Sequence, residues 1–275
     1  MNRFLKASAI VLALAAAAQA GAANVSFTGA SYFQNFDGLP PTPSTTTVIL
    51  GKGPHSFSTI AGATGLDGWY FGNPLGSSAN TEFRAQDGSL GSGGGRGVIS
   101  FGTTSSAERA LGAVPTSNQI NRFGVLMVNN SGATINALDV AFTGEQWRIG
   151  DTTSGANTLG FAYGVATSIN DAGLSAFAGL SFSSVVVAGP TPETALNGNS
   201  PANQASRSGT LTGLNWGAGQ TLAMRWTMND LSGQDDGLGI DNFSVATPVP
   251  EPETYAMLLA GLCAIGVAAR RRTKQ

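Results

Sequence analysis

From Leu222 to Met228 the large apolar residues fall on every second position, with Thr221, Ala223, Arg225 and Thr227 taking the other face. The same period of two runs through Leu159, Phe161, Tyr163 and Val165, through Leu138, Val140 and Phe142, and through Phe123, Val125 and Met127. Successive side chains of an extended chain point to opposite faces, so this spacing predicts half-buried antiparallel strands. Outside the two ends, no stretch of eleven residues keeps a helical period. The intervening segments are rich in Gly, Ser, Thr, Asn and Pro, which supply turn geometry. Gly51 to Pro54, Asn129 to Gly132 and Asp151 to Gly155 are examples.

About a dozen short strands over residues 24–247 predict an all-β fold: a single β-sandwich of jelly-roll type. Two smaller sandwiches are the alternative, although no linker divides the segment. Pro40 to Pro43 and Pro190 to Pro201 are expected to be long surface loops. No internal repeat supports a propeller or solenoid.

Composition narrows the function. Charged residues make up only 11% of the 275-residue chain, and Gly accounts for 38 positions. The formal net charge of −2 conceals three regions. Arg3 and Lys6 lie at the start, and Arg270, Arg271, Arg272 and Lys274 at the end. With Glu251 and Glu253 set aside, fourteen acidic against eight basic residues leave the central body at −6, with Lys52 its one lysine. Nucleic-acid binding needs clustered Lys and Arg to displace counterions, and that class is excluded. A single Cys, Cys263, rules out an internal disulfide, and a single His, His55, rules out a multi-histidine metal site.

Both ends carry addresses. Residues 1–23 have the form of a secretory signal peptide: basic Arg3 and Lys6, an apolar run from Ala7 to Ala18, then Ala18-Gln19-Ala20 as a small-x-small cleavage pattern. Cleavage after Ala20 fits, as does cleavage after Ala22 or Ala23. Signal peptidase and the general secretion machinery are the partners expected here. At the other end, Thr247 to Glu253 alternates with Pro and should be extended. Tyr255 to Ala269 then runs for fifteen residues without a charge, ahead of the Arg cluster. As a helix it would measure about 23 Å, short of a ~30 Å hydrocarbon core. The Arg cluster would stay cytoplasmic and leave the body outside. Cys263 sits within this run as a small apolar residue.

Val249-Pro250-Glu251-Pro252, a short apolar transmembrane helix and the Arg-rich end over residues 248–275 together resemble the PEP-CTERM sorting signal, found on exported proteins of Gram-negative bacteria that make exopolysaccharide. The resemblance implies recognition of Pro250, Glu251 and Pro252 by an exosortase, a membrane-embedded protease that removes the tail. It also implies transient inner-membrane insertion, then delivery to the outer surface or extracellular matrix, in association with exopolysaccharide or biofilm. A plain C-terminal membrane anchor is the alternative. Four body segments are similar to those of exported jelly-roll proteins: Phe33 to Leu39, Gly144 to Arg148, Ala195 to Asn199 and Asp236 to Phe243. That resemblance implies one continuous domain and brings no activity with it.

Candidate chemistry is sparse. His55, in a Gly-Pro turn, would have to serve any Ser-His-Asp triad, and no Gly-x-Ser-x-Gly elbow accompanies it. Gly91 to Gly97 lacks the Gly-Lys-Ser/Thr ending of a phosphate loop and reads as a hairpin or interstrand loop ahead of a strand at Val98 to Phe101. A glycosidase would need two carboxylates over a cleft, and the body's glutamates are Glu82, Glu108, Glu145 and Glu193. Glu145, with Trp147 and Arg148, is the candidate for contact with a sugar. Asp230, Asp235 and Asp236, with Asp241 beyond them, form a Gly-bearing acidic segment that could hold structural calcium; no other cofactor is expected. The leading expectation is a non-enzymatic envelope or matrix protein. The alternatives are a lectin-like carbohydrate-binding module stacking sugars on Trp69, Tyr70, Trp147 or Trp216, and a polysaccharide-active hydrolase.

Overall fold

The structure, a computed structural model, describes residues 23–42, 45–90, 96–151, 153, 155–187, 193–249, 260–263 and 265. Nearly all of the segment expected to be a signal peptide (residues 1–22), together with Pro250, Glu251, Pro252, Arg270, Arg271 and Arg272, lies outside the described residues.

Seventeen strands follow one another in the described body. They are β1 (Val25–Phe27), β2 (Ser31–Gln34), β3 (Thr47–Ile49), β4 (His55–Ser56), β5 (Trp69–Gly72), β6 (Thr81–Gln86), β7 (Gly97–Phe101), β8 (Ala110–Val114) and β9 (Arg122–Asn129). The chain continues with β10 (Ile135–Ile149), β11 (Thr158–Val165), β12 (Ser175–Ala176), β13 (Phe182–Ser183), β14 (Thr194–Ala195), β15 (Gln204–Trp216), β16 (Thr221–Met228) and β17 (Gly237–Ala246). One sheet of eight strands runs β12-β11-β16-β9-β5-β4, with β1 on β9 and β13 on β11. The other, of nine, runs β14-β10-β17-β8-β7-β6-β3, with β15 on β10 and β2 on β17. The two sheets face each other across one core, giving the expected all-β sandwich.

The period-two strands supply that core. Leu222, Met224, Trp226 and Met228 of β16 are fully buried, as are Phe123, Val125 and Met127 of β9. Opposite them come Leu138, Val140 and Phe142 of β10 and Leu238, Ile240, Phe243 and Val245 of β17. The step of three from Ile240 to Phe243 breaks the period. The register between β10 and β17 shifts there, and Asn242 takes φ 51° in the left-handed region. The extra residue is a β-bulge, and it returns Phe243 and Val245 to the core face. Trp226 anchors the centre, with the rings of Phe123, Phe142, Phe161, Trp69 and Phe243 at centroid distances between 5.1 and 6.2 Å.

Three sequence expectations need correcting. The second face of β16 is covered, not solvated: Ala223 packs with Leu126, Ala162, Ile169 and Leu174, and Arg225 donates to the Ile169 carbonyl at 3.0 Å and the Asp171 carbonyl at 2.6 Å. The strands flanking the Gly-rich segment do not form a hairpin. β6 and β7 pair in parallel, Phe83 opposite Val98, so the connection crosses over. Finally, Pro40 is buried beneath Ser100, whose hydroxyl donates to the Pro40 carbonyl at 2.9 Å, so the Pro40–Pro43 stretch is not wholly a surface loop.

Candidate functional site

The outer face of the nine-stranded sheet carries a second, smaller core. Ile99, Phe101, Ala110, Val114 and Trp147 pack together there. They alternate with residues such as Val98, Leu111 and Ala113 that face the main core from the same strands. Edge pairing of β14 with Arg148 and Ile149 starts the cover over this face. The chain then crosses Trp147, with Leu196 N donating to the Trp147 carbonyl at 2.8 Å. Gly198 lies against the indole ring; a Cβ at that position would overlap Trp147.

Beside this core three carboxylates converge, two from adjacent strands and one from the segment leading into β8. Glu145 of β10 stands opposite Gly239, and Asp241 of β17 stands opposite Thr143. The two acids are thus diagonal neighbours on one face. Glu108 immediately precedes β8, which pairs with β17. Each of the three offers a carboxylate oxygen, and these oxygens lie within 4.8 Å of one another. Among the described residues this is the one group of three acidic, His or Cys side chains close enough to share an ion.

Neutral donors hold the group. Trp147 Nε1 donates to Glu145 Oε2 at 2.9 Å and Gln204 Nε2 to Glu145 Oε1 at 3.3 Å. Asn199 Nδ2 donates to Glu108 Oε2, and Asn242 Nδ2 to Asp241 Oδ2 at 2.6 Å. Burial pushes the Glu145 carboxyl up to about 8, with Asp241 and Glu108 adding to the rise and the Trp147 bond opposing it. Burial likewise lifts Asp241 to about 7, reinforced by Glu108 and Asp37. The two ion pairs found among the described side chains, Arg96–Glu82 and Arg148–Glu193, are both elsewhere.

The sugar-contact candidates lie within the fold. Trp147 is fully buried, its ring stacked on Phe101 at 5.9 Å and 5°. Arg148 is also fully buried and pairs with Glu193 at 3.0 Å. Trp69 and Trp216 are core residues, packed against Phe36 and Phe27 respectively. Tyr70 is half-buried, its hydroxyl donating to Asn24 Oδ1 at 3.0 Å. These tryptophans offer no free ring face to a sugar, because the sandwich interior and the crossing chain have taken both sides.

The acidic segment braces a loop. Asp235 Oδ1 accepts from Asn157 Nδ2 at 2.7 Å and from Leu231 N at 3.0 Å. Asp236 Oδ1 accepts from Gly150 N at 2.7 Å and its Oδ2 from the Ser184 hydroxyl. Asp230 adds its charge beside Asp235. Of the four candidate calcium ligands, Asp241 alone joins a carboxylate cluster, and it does so with Glu145 and with Glu108, which no motif had singled out. His55 rests on Phe71 at 5.7 Å with Nε2 3.1 Å from the Gly51 carbonyl.

The four resembling segments converge. Asn199 meets Glu108, Gly198 meets Trp147, Gln204 meets Glu145, and Asp37 Oδ1 accepts from Arg109 N at 3.4 Å next to Glu108.

β17 ends at Ala246, and Pro248 and Val249 leave the body exposed. From there a family model described as the PEP-CTERM protein-sorting motif matches residues 248–272. The chain carries a PEP-CTERM sorting signal. PEP-CTERM signals imply export and processing by an exosortase, a membrane protease. Within the PEP-CTERM segment, residues 260–263 and 265 are helical; among the described residues no helix is long and apolar enough to cross a membrane. No curated protein matches the chain in sequence. Among solved structures, the K2 cleaved adhesin domain of Lys-gingipain is similar at 13% identity over 79% of this chain and 98% of its own, TM-score 0.33. The K3 cleaved adhesin domain of Lys-gingipain from Porphyromonas gingivalis W83 is similar at 12% identity over 65% and 91%, TM-score 0.36. TmCBM61, solved in complex with β-1,4-galactotriose, is similar at 10% identity over 58% and 86%, TM-score 0.28.

Proposed function

We propose that this chain is a non-enzymatic envelope or matrix protein: a sandwich of residues 24–247 exported by the signal peptide at residues 1–23, then released or attached among exopolysaccharide after processing of the tail at 248–275. The observation that carries this reading is the matched sorting motif beginning directly after the last strand of the body. The non-enzymatic part is supported by the place of the clustered carboxylates. Glu145 and Asp241 are 1% and 5% exposed, lying beneath the crossing chain and not in a cleft that would admit a sugar. Signal peptidase and the secretion machinery serve the N-terminal step.

Intact-mass measurement of the exported protein tests the sorting step. A product lacking the residues beyond about Pro252 is expected, and a mature chain ending at Gln275 overturns tail removal. Replacing Pro250, Glu251 and Pro252 together with Ala should hold the protein at the inner membrane; normal release of that variant would count against the reading. Co-sedimentation of the exported protein with host exopolysaccharide tests the final location.

A further inference from the structure

We propose that Glu108, Glu145 and Asp241 form a calcium site that ties the crossing chain to the outer face of the nine-stranded sheet. The first observation is the cluster itself, with oxygens from β10, β17 and the segment before β8 within 4.8 Å of one another. Calcium takes oxygen ligands at about 2.3–2.6 Å, so oxygens on opposite sides of one ion stand about 5 Å apart. A magnesium ion, at about 2.0–2.1 Å, would need them near 4 Å and would insist on octahedral order.

The second observation is independent of the clustering. Asp241 is 95% buried on its 5% exposure, and its Oδ1 has no hydrogen-bond partner. A buried polar oxygen without a partner is costly and uncommon in a folded protein. Here it belongs to a side chain of the cluster, so the cation that would satisfy the oxygen would also offset the mutual repulsion of the three acids. Arg109 adds an opposite charge beside Glu108, but its hydrogen bonds go elsewhere. Arg109, next to Glu108, spends its guanidinium on the Ser100 hydroxyl at 2.9 Å and on the Ser100 and Thr103 carbonyls.

The remaining ligands are at hand. Asn199 and Gln204 already reach Glu108 and Glu145 through their amides, and a half-turn of either amide presents its carbonyl oxygen instead of its NH2. Calcium is abundant outside the cell, and extracellular modules bind it with Kd of about 10⁻⁴–10⁻³ M. The role is structural: the ion joins β10, β17 and the segment leading into β8 to the residues on either side of the turn at Pro201–Asn203.

The test is calcium titration of the full-length chain after EGTA treatment, read by calorimetry and thermal melting. One calcium per chain is expected, with Tm raised by about 5–10 °C at a hundredfold excess over Kd. The double variant Glu145→Gln, Asp241→Asn should lose the shift, while melting in EGTA at or above the parent because the carboxylate repulsion is gone. Should that variant fail to fold, Glu108→Gln, on the half-exposed member, should weaken calcium binding about tenfold with the EGTA melt unchanged. An unchanged Tm for the parent at about 10 mM calcium, roughly tenfold above the weakest Kd expected, a shift retained in both variants, or an equal shift from magnesium would overturn the proposal.

Discussion

Gly198 lies flat against the Trp147 indole, with no room for a Cβ between backbone and ring. The ring cannot retreat, because Phe101 stacks on it at 5.9 Å. Gly198→Ala should therefore lift the crossing chain and cost about 1–3 kcal/mol, as overpacking of a filled site does. Urea unfolding of the purified protein checks this; a midpoint equal to the parent's would show that the loop moves aside freely.

Trp226 offers a contrast within the main core. It is fully buried among five aromatic rings, yet its Nε1 has no hydrogen-bond partner. Trp226→Ala should cost about 3–5 kcal/mol through lost contact and cavity. Trp226→Phe keeps part of the ring and removes the unsatisfied donor, so less than half of that loss is expected. Equal destabilisation in the two variants, measured side by side in denaturant, would mean that volume alone decides.

Asp235 predicts a pH dependence. Burial raises its carboxyl from 3.8 to about 6 in the folded chain, against the bonds it accepts from Leu231 and Asn157. A raised carboxyl pKa means that the folded state holds the proton more tightly. The corresponding stability is fully present below about pH 4 and is lost as pH rises through about 6. Asparagine reproduces the protonated shape and can still accept both bonds through its Oδ1. Asp235→Asn should thus leave Tm unchanged near pH 4 and raise it by about 2–4 °C at pH 8, the shift expected for roughly 1 kcal/mol in a domain this size. A Tm that falls at pH 8 would refute the sign.

Asn73 holds two loops at once. Its Nδ2 donates to the Asn80 and Asn118 carbonyls at 3.2 and 2.8 Å, and its Oδ1 accepts from Gly76 N and Ile120 N at 3.1 and 2.9 Å. Asn73→Asp keeps the acceptor and turns a carboxylate oxygen toward those carbonyls, a loss of more than about 2 kcal/mol at pH 7. Protonation restores a donor, so the deficit should shrink in melts recorded near pH 4. A deficit independent of pH would point to shape instead of charge.

The fold was legible where one strand reports on itself. Leu222, Met224, Trp226 and Met228 declare their face because alternation is a local property of extended backbone, and the structure buries all four. What lies over the second face is not local. Arg225 looked solvent-facing until Ile169 and Asp171 came to meet its guanidinium. The same holds for Trp147: an aromatic beside Glu145 and Arg148 could face a sugar or lie buried, and it is the chain some fifty residues later, folding across the ring, that decides. Glu108 was one of four body glutamates with nothing to mark it as a partner of the other two acids. It stands far from Glu145 and Asp241 along the chain and belongs to no motif; strand order alone brings the three together. The parallel pairing of β6 with β7 was hidden too, since a short Gly-rich connection suggests a hairpin and only the sheet order shows the crossover.

β17 is the last strand to be made, yet it lies inside the nine-stranded sheet between β10 and β8, and Thr247 closes it with bonds to the Gly29 and Ala30 carbonyls near the start of the body. A chain crossing a membrane with its N-terminus leading delivers this strand at the very end. Until it arrives, β10 and β8 have no common neighbour and β2 has no partner strand. The matched sorting motif begins at residue 248, two residues beyond the end of β17. Closure of the sandwich and display of the sorting motif are thereby tied to one end of the chain: the strand that joins β10 to β8 leads straight into the motif.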